Sequence, residues 1–174
     1  MHTLDYLISR TDQKLRFARI HVDELRGHPS RNTGDDFERS HHESFLFHLY
    51  GAVDAFLQEL NLYCNCGLAL EKVSREALKK TLEKQGRISK ILSELAAGEA
   101  VSGSALATAK QFRHYAMHRG GLPMQHYMNG PSNLVHPITR LELQADSISV
   151  FDSWLGQITT SLNNWRTNAQ QGDA

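Results

Sequence analysis

The chain has 174 residues, with nineteen Lys plus Arg, nineteen Asp plus Glu and ten His, so its formal charge is zero. A chain of this length buries about 70% of its unfolded surface, and two Cys (Cys64 and Cys66) exclude a disulfide scaffold and fit a reducing compartment. No run of about 18 apolar residues occurs, the start MHTLDYLISR has no apolar leader region, and neutrality argues against a dedicated non-specific nucleic-acid binder; a cytoplasmic globular protein with no membrane association is expected.

In chain order, Leu4, Ile8, Thr11, Leu15, Ala18, Val22 and Leu25 recur in steps of three and four, one seam of a helix with Thr11 its polar member. Thr3 caps its start, and Gly27 with Pro29 ends it. The stretch 27–34 (GHPSRNTG) reads as a loop. A second helix opens at Asp35 or Asp36. Phe45, Leu49, Ala52, Phe56 and Leu60 form its stripe, Val53 and Leu57 widen it, and Gly67 closes it. A third helix runs from the cap Ser74 to about Ala97, with Leu78, Leu82, Ile91, Leu92 and Leu95 inward. A fourth begins near Ser102 or Ser104, carries Leu106, Ala109, Phe112 and Ala116, and stops at Gly120, Gly121 and Pro123. Gly130, Pro131 and Pro137 extend the punctuation into a long loop over 119–137, of a length that is often functional. A short extended stretch follows at 138–143. A last helix starts around Asp146 to Ser149, with Val150, Phe151, Trp154, Leu155, Ile158, Leu162 and Trp165 on one side. The expected fold is all-α: a five-helix, mostly antiparallel bundle forming one domain over 1–167, with a frayed tail at 168–174.

Neutrality hides local imbalance. From Ala100 to Leu141 there is no Asp or Glu, while Lys110, Arg113, Arg119, Arg140, His114, His118, His126 and His136 all fall there. Such a window beside a Gly/Pro-rich loop suits a phosphate. The third helix is also basic, and a solvated face accounts for that.

The most informative string is Phe112-Arg113-His114-Tyr115-Ala116-Met117-His118-Arg119-Gly120-Gly121. Arg113, four intervening residues and His118 resemble the R-x4-6-H motif of the HEPN superfamily, small helical bundles that include metal-independent ribonucleases. His114 matches the polar residue that often follows the Arg. The resemblance implies a homodimer with a composite site. It also implies RNA as substrate, no cofactor, and an antitoxin-type protein partner in some settings. His118 would then transfer the proton, Arg113 would stabilise the phosphate and His114 would orient the pair. Lys110, Arg119 and Tyr115 would contact the substrate. The chemistry is sound, since an imidazole exchanges protons near neutral pH and a guanidinium fork fits phosphate oxygens. Five residues on an ideal helix turn through about 500°, so Arg113 and His118 point about 140° apart. They converge only if the helix unwinds or two subunits each supply a pair.

The same string carries a second chemistry. His114 and His118 at i, i+4 share a helix face, about 40° apart, which suits a divalent metal. His114-x-x-x-His118-Arg119-Gly120 resembles the H-x3-H-R-G-Q element of DinB-like bundles, with Gly121 in place of Gln. There the resemblance implies zinc or nickel, with His48 as third ligand. A third reading is a non-catalytic helical interaction protein, with Arg113 paired to a carboxylate and His118 at a helix C-terminus, where a cation meets the dipole favourably.

Two further segments, Ser9 to Leu15 and His42 to Ala52, are similar to a proteobacterial family of uncharacterised proteins that brings no activity with it. His41 and His48 are seven apart and share a face, and His48 sits in an apolar run that favours a satisfied core histidine. Cys64 and Cys66 read as inert cysteines at a helix end. Tyr115 and Met117 have packing as their ordinary role, as do Trp154 and Trp165.

Overall fold

The structure is a computed structural model and describes residues 3–28, 36–119, 122–127 and 130–171. Its elements are α1 (Leu4–Gly27), α2 (Asp36–Tyr63), α3 (Arg75–Lys84), α4 (Lys90–Ala100), α5 (Ala105–Arg119), β1 (Met124–Tyr127), β2 (Gly130–Val135), β3 (Glu142–Asp146) and α6 (Ser147–Gln170). The protein is mostly helical, as expected, but among the described residues six α-helices and a small sheet replace the five-helix bundle. Among the described residues no helix is long and apolar enough to cross a membrane.

α1 begins as its cap residue dictates, with the Thr3 hydroxyl oxygen accepting from the Tyr6 N–H at 3.3 Å. Leu7, Thr11, Ala18, Val22 and Leu25 are buried, so Leu7 turns inward where Leu4 and Ile8 were expected. Thr11 is tolerated in the seam because its hydroxyl donates to the Leu7 carbonyl at 3.3 Å. The rest of the expected loop, from Pro29 to Gly34, and Asp35 lie outside the described residues. On α2, Phe45, Leu49, Ala52, Phe56 and Leu60 are all buried.

The expected third helix is two helices. Gly86 adopts a φ of 68°, and the Arg87 N–H donates to the Leu82 carbonyl at 2.9 Å, closing α3. Ser89 then caps α4, accepting from the Leu92 N–H at 3.2 Å. Leu82 and Ile91 are nine residues apart, which on one continuous helix puts them on opposite faces, about 180° apart. Both are buried because the chain breaks between them.

The expected long loop contains β1 and β2, and β3 begins at Glu142, later than the extended stretch expected at 138–143. The strands form an antiparallel sheet in the order β1-β2-β3, pairing Met124 with Leu134 and Val135 with Glu142. Ser132 and Leu134 alternate inward against α6, which gives the sheet its buried face. Asp146 caps α6, accepting from the Ser149 N–H at 2.9 Å. The helix runs on to Gln170 with Ala169 buried, so 168–170 are helical where fraying was expected; 172–174 lie outside the described residues.

α1 and α2 run antiparallel, with Lys14 over Phe47, Phe17 against His48 and His21 against His41. α2 and α6 run parallel: His42 meets Ser147, Phe45 meets Phe151, Phe56 meets Trp165 and Glu59 meets Arg166. This corrects the mostly antiparallel expectation for the central pair. One continuous cluster of buried apolar side chains draws on all six helices and on Leu134 of β2.

Two glycines test this account in opposite directions. Gly86→Ala places a methyl at positive φ and should lower unfolding stability by about 1 kcal/mol. Gly156 lies mid-helix on the exposed face of α6, with nothing within 4 Å of an added Cβ. Gly156→Ala should therefore raise stability by about 0.5–1 kcal/mol, read by urea denaturation.

Candidate functional site

α5 buries Leu106, Ala109 and Phe112, which turns Lys110, Arg113, His114 and His118 towards a groove. Tyr50 of α2 and the β2–β3 turn residues Pro137, Ile138 and Arg140 complete its walls, enclosing about 780 Å³. Among the described residues that line it, five are Lys, Arg or His and none is Asp or Glu.

The turn is built around His136. Its Nδ1 accepts from the N–H groups of Ile138 at 3.3 Å and Thr139 at 3.1 Å. Arg140 follows at a φ of 60°, a strained conformation for a side chain with a Cβ. Its guanidinium lies over the Tyr115 ring at 5.8 Å.

Arg113 is held from behind. Its Nη2 is 3.4 Å from Asp54 Oδ2, and its guanidinium lies over the Tyr50 ring at 5.3 Å. Nε is buried without a hydrogen-bond partner. Burial pushes the Asp54 carboxyl up, and the opposing pull of Arg113 does not reverse this. Beneath lies Glu99, its side chain almost fully buried, which accepts from the Tyr50 hydroxyl, Arg75 and, at 2.6 Å, Lys110 Nζ. Burial works against the Glu99 charge, but the bonds from Lys110 and Tyr50 outweigh it and hold the carboxyl below its ordinary range. For Tyr50, burial and then the bond to Glu99 keep the phenol protonated.

His114 and His118 are both exposed, with ring centroids 4.8 Å apart. α5 stays helical through Arg119, so no unwinding brings Arg113 and His118 together. They reach the same groove from different edges, Arg113 leaning on Asp54 and Tyr50, His118 on His114. Tyr115 is half-buried beneath Arg140, whereas Met117, expected to pack, is exposed at the groove. The side chain of Arg119, with Gly120 and Gly121, lies outside the described residues.

His48 is elsewhere. It packs at the α1–α2 contact among Phe17, Phe47 and His21, whose ring stacks on it at 5.5 Å. Among the described residues no group of three or more His, Cys, Asp or Glu is arranged to hold a metal ion, so His48, His114 and His118 are not brought together. His41 meets His21, Nδ1 to Nδ1, at 3.1 Å. His42 is fully buried, and its Nε2 is 3.0 Å from Ser147 Oγ. Cys64 and Cys66 are buried, and burial above all pushes the Cys64 thiol up to about 11, which leaves it inert. Trp154 and Trp165 are core residues.

Sequence reading missed Tyr50, Asp54 and the role of Arg140. Arg140 carried a signal, its place in the acid-free window. Tyr50 and Asp54 lie one helical turn apart on α2, and nothing local marks that face as the one opposite Arg113. No known protein family, curated protein or solved structure matches this chain.

Burial first, then His126 and His41, lowers the His42 imidazole to about 3, so it is neutral in the fold. The unfolded chain takes up this proton below about pH 6.5, so the contribution is complete above that pH and is lost as pH falls towards 3. Stability measured between pH 7 and 4.5 should fall, and His42→Asn should flatten the slope by up to about 1.4 kcal/mol per pH unit. Parallel curves for the two proteins would show that His42 is not the group involved.

Proposed function

We propose that the protein is a HEPN-like RNA-binding protein that acts as a homodimer and cleaves RNA without a metal, the substrate backbone lying in the α5 groove. The observation that carries this reading is the groove lining: Lys110, Arg113, His114, His118 and Arg140, with no carboxylate among them. Such a surface attracts a polyanion, and that attraction weakens as salt rises. His118 is the proton-transfer residue, accepting the 2′-hydroxyl proton or returning one to the departing 5′ oxygen as the cyclic phosphate forms. His114, in ring contact with it, orients it. Arg113 offers its remaining N–H groups to the phosphate while Asp54 and Tyr50 hold it in place. Lys110 and Arg140 draw in the backbone, with Tyr115 beneath Arg140. A second copy across a two-fold axis supplies the other half of the site, and an antitoxin-type protein is the partner class such a dimer suits.

A second reading has its own support. The engagement of Arg113 by Asp54 and Tyr50 also fits a purely structural arginine, and the chain is then a non-catalytic helical interaction protein.

Single-stranded RNA binding, followed by fluorescence anisotropy, should weaken steeply with salt, and Arg140→Glu should weaken it by about tenfold or more. His118→Ala should abolish cleavage while the circular dichroism spectrum is unchanged. Cleavage by that variant would remove the catalytic assignment. Salt-independent or absent binding would remove the groove assignment. Stoichiometric zinc or nickel in the purified protein would turn the reading to a DinB-like bundle.

A further inference from the structure

A smaller cavity of about 160 Å³ lies on the far side of Arg113, between α1, α2 and α5. Arg10 and Lys14 reach it from α1, Asp54 and Gly51 from α2, and Arg113 closes it from α5. We infer that Arg10, Lys14 and Arg113 form a binding site for a phosphoryl group, separate from the α5 groove and sharing only Arg113 with it.

Three cations meet here and Asp54 is the one carboxylate in the lining. Asp54 is a poor counterion, since it stands 3.4 Å from Arg113, beyond the ordinary hydrogen-bond range, with its side chain half open to solvent. Arg10 and Lys14 stand at i, i+4, a spacing at which like charges repel. Among the described residues neither has a carboxylate partner; Lys14 is spent on the face of Phe47, 4.8 Å from the ring centroid. Asp12, the nearest acid in sequence, is taken by Arg166 at 3.1 Å. Burial and then Arg10 hold the Lys14 ammonium below its ordinary range, an opposition that a bound anion relieves.

Gly51 has no side chain, and a Cβ there would meet the Lys14 stem at 3.6 Å, so the stem lies flat across α2 with its ammonium at the cavity. Guanidinium groups on α1 and α5 line the same cavity as that ammonium, a set of donors suited to an oxyanion with several acceptor oxygens. The Ser9–Leu15 and His42–Ala52 segments, which the α5 groove uses only through Tyr50, meet at this cavity through Arg10, Lys14, Phe47 and Gly51.

Inorganic phosphate, titrated at constant ionic strength against chloride and followed by amide chemical shifts, tests the site. Saturable binding is expected, with shifts centred on the first half of α1. The pair Arg10→Ala and Lys14→Met, which keeps an apolar stem on Phe47, should weaken it by about tenfold or more. Arg10→Ala alone, at an exposed position, serves if the double variant does not fold. Arg140→Ala, in the other groove, should leave phosphate affinity unchanged. No saturable binding, equal binding by the Arg10/Lys14 variants, or an equal loss in Arg140→Ala would overturn the site. RNA binding in the α5 groove can fail without touching these outcomes. A 5′-phosphorylated oligonucleotide that binds more tightly than phosphate and loses that gain in the same variants identifies a nucleic-acid end as the source; equal affinities identify free phosphate.

Discussion

The carboxylate of Glu59 is fully buried, and the arrangement of the long helices follows from satisfying it. An isolated buried charge is far too costly to keep, so α6 must bring Arg166 to it, at 2.9 and 3.0 Å through two nitrogens. Arg166 also binds Asp12 of α1 at 3.1 Å. With these three residues joined, α1, α2 and α6 have one register. That register sets Phe56 against Trp165, Phe45 against Phe151 and His42 against Ser147, and it makes α2 and α6 parallel. It also occupies Asp12, which leaves Arg10 and Lys14 without an acid.

A second buried carboxylate organises the other side of the molecule. Glu99 of α4 gathers Tyr50 from α2, Arg75 from α3 and Lys110 from α5. Tyr50 in turn lies beneath Arg113. The cations of α5 are therefore anchored at one end and open to the groove at the other. A rigid back wall of this kind limits the rearrangement needed when an anion arrives, which favours binding through preorganisation. The opposite wall is a turn strained at Arg140 and tied down by His136, so an exposed guanidinium is held in place rather than left to wander.

The two cationic cavities share Arg113 and differ in character. The α5 groove is wide, with neighbouring exposed imidazoles, and suits an extended polyanion. The α1 cavity is small and has no imidazole, and it suits a single phosphoryl group. Asp54 lies at the second and holds the arginine that serves both, so an anion at either place competes with the same carboxylate.

Much of the helical structure was legible because caps and periodicity are local. Thr3 and Ser74 each cap the helix they were expected to cap, since a side-chain oxygen three residues ahead of a free N–H needs no tertiary help. The break at Gly86 was also written locally, in the phase jump from Leu82 to Ile91 and in a residue suited to positive φ. The sequence by itself determined most of the helix faces, the acid-free window and the spacing of Arg113, His114 and His118. Only the tertiary structure decided that Ser132 and Leu134 form a strand against α6, that His48 turns to His21 rather than to His114 and His118, and that Tyr50 and Arg140 join α5 at one groove with Asp54 behind Arg113. These outcomes depend on contacts between residues far apart in the chain, such as Arg166 with Glu59 and Asp12, and no local pattern records which of them meet.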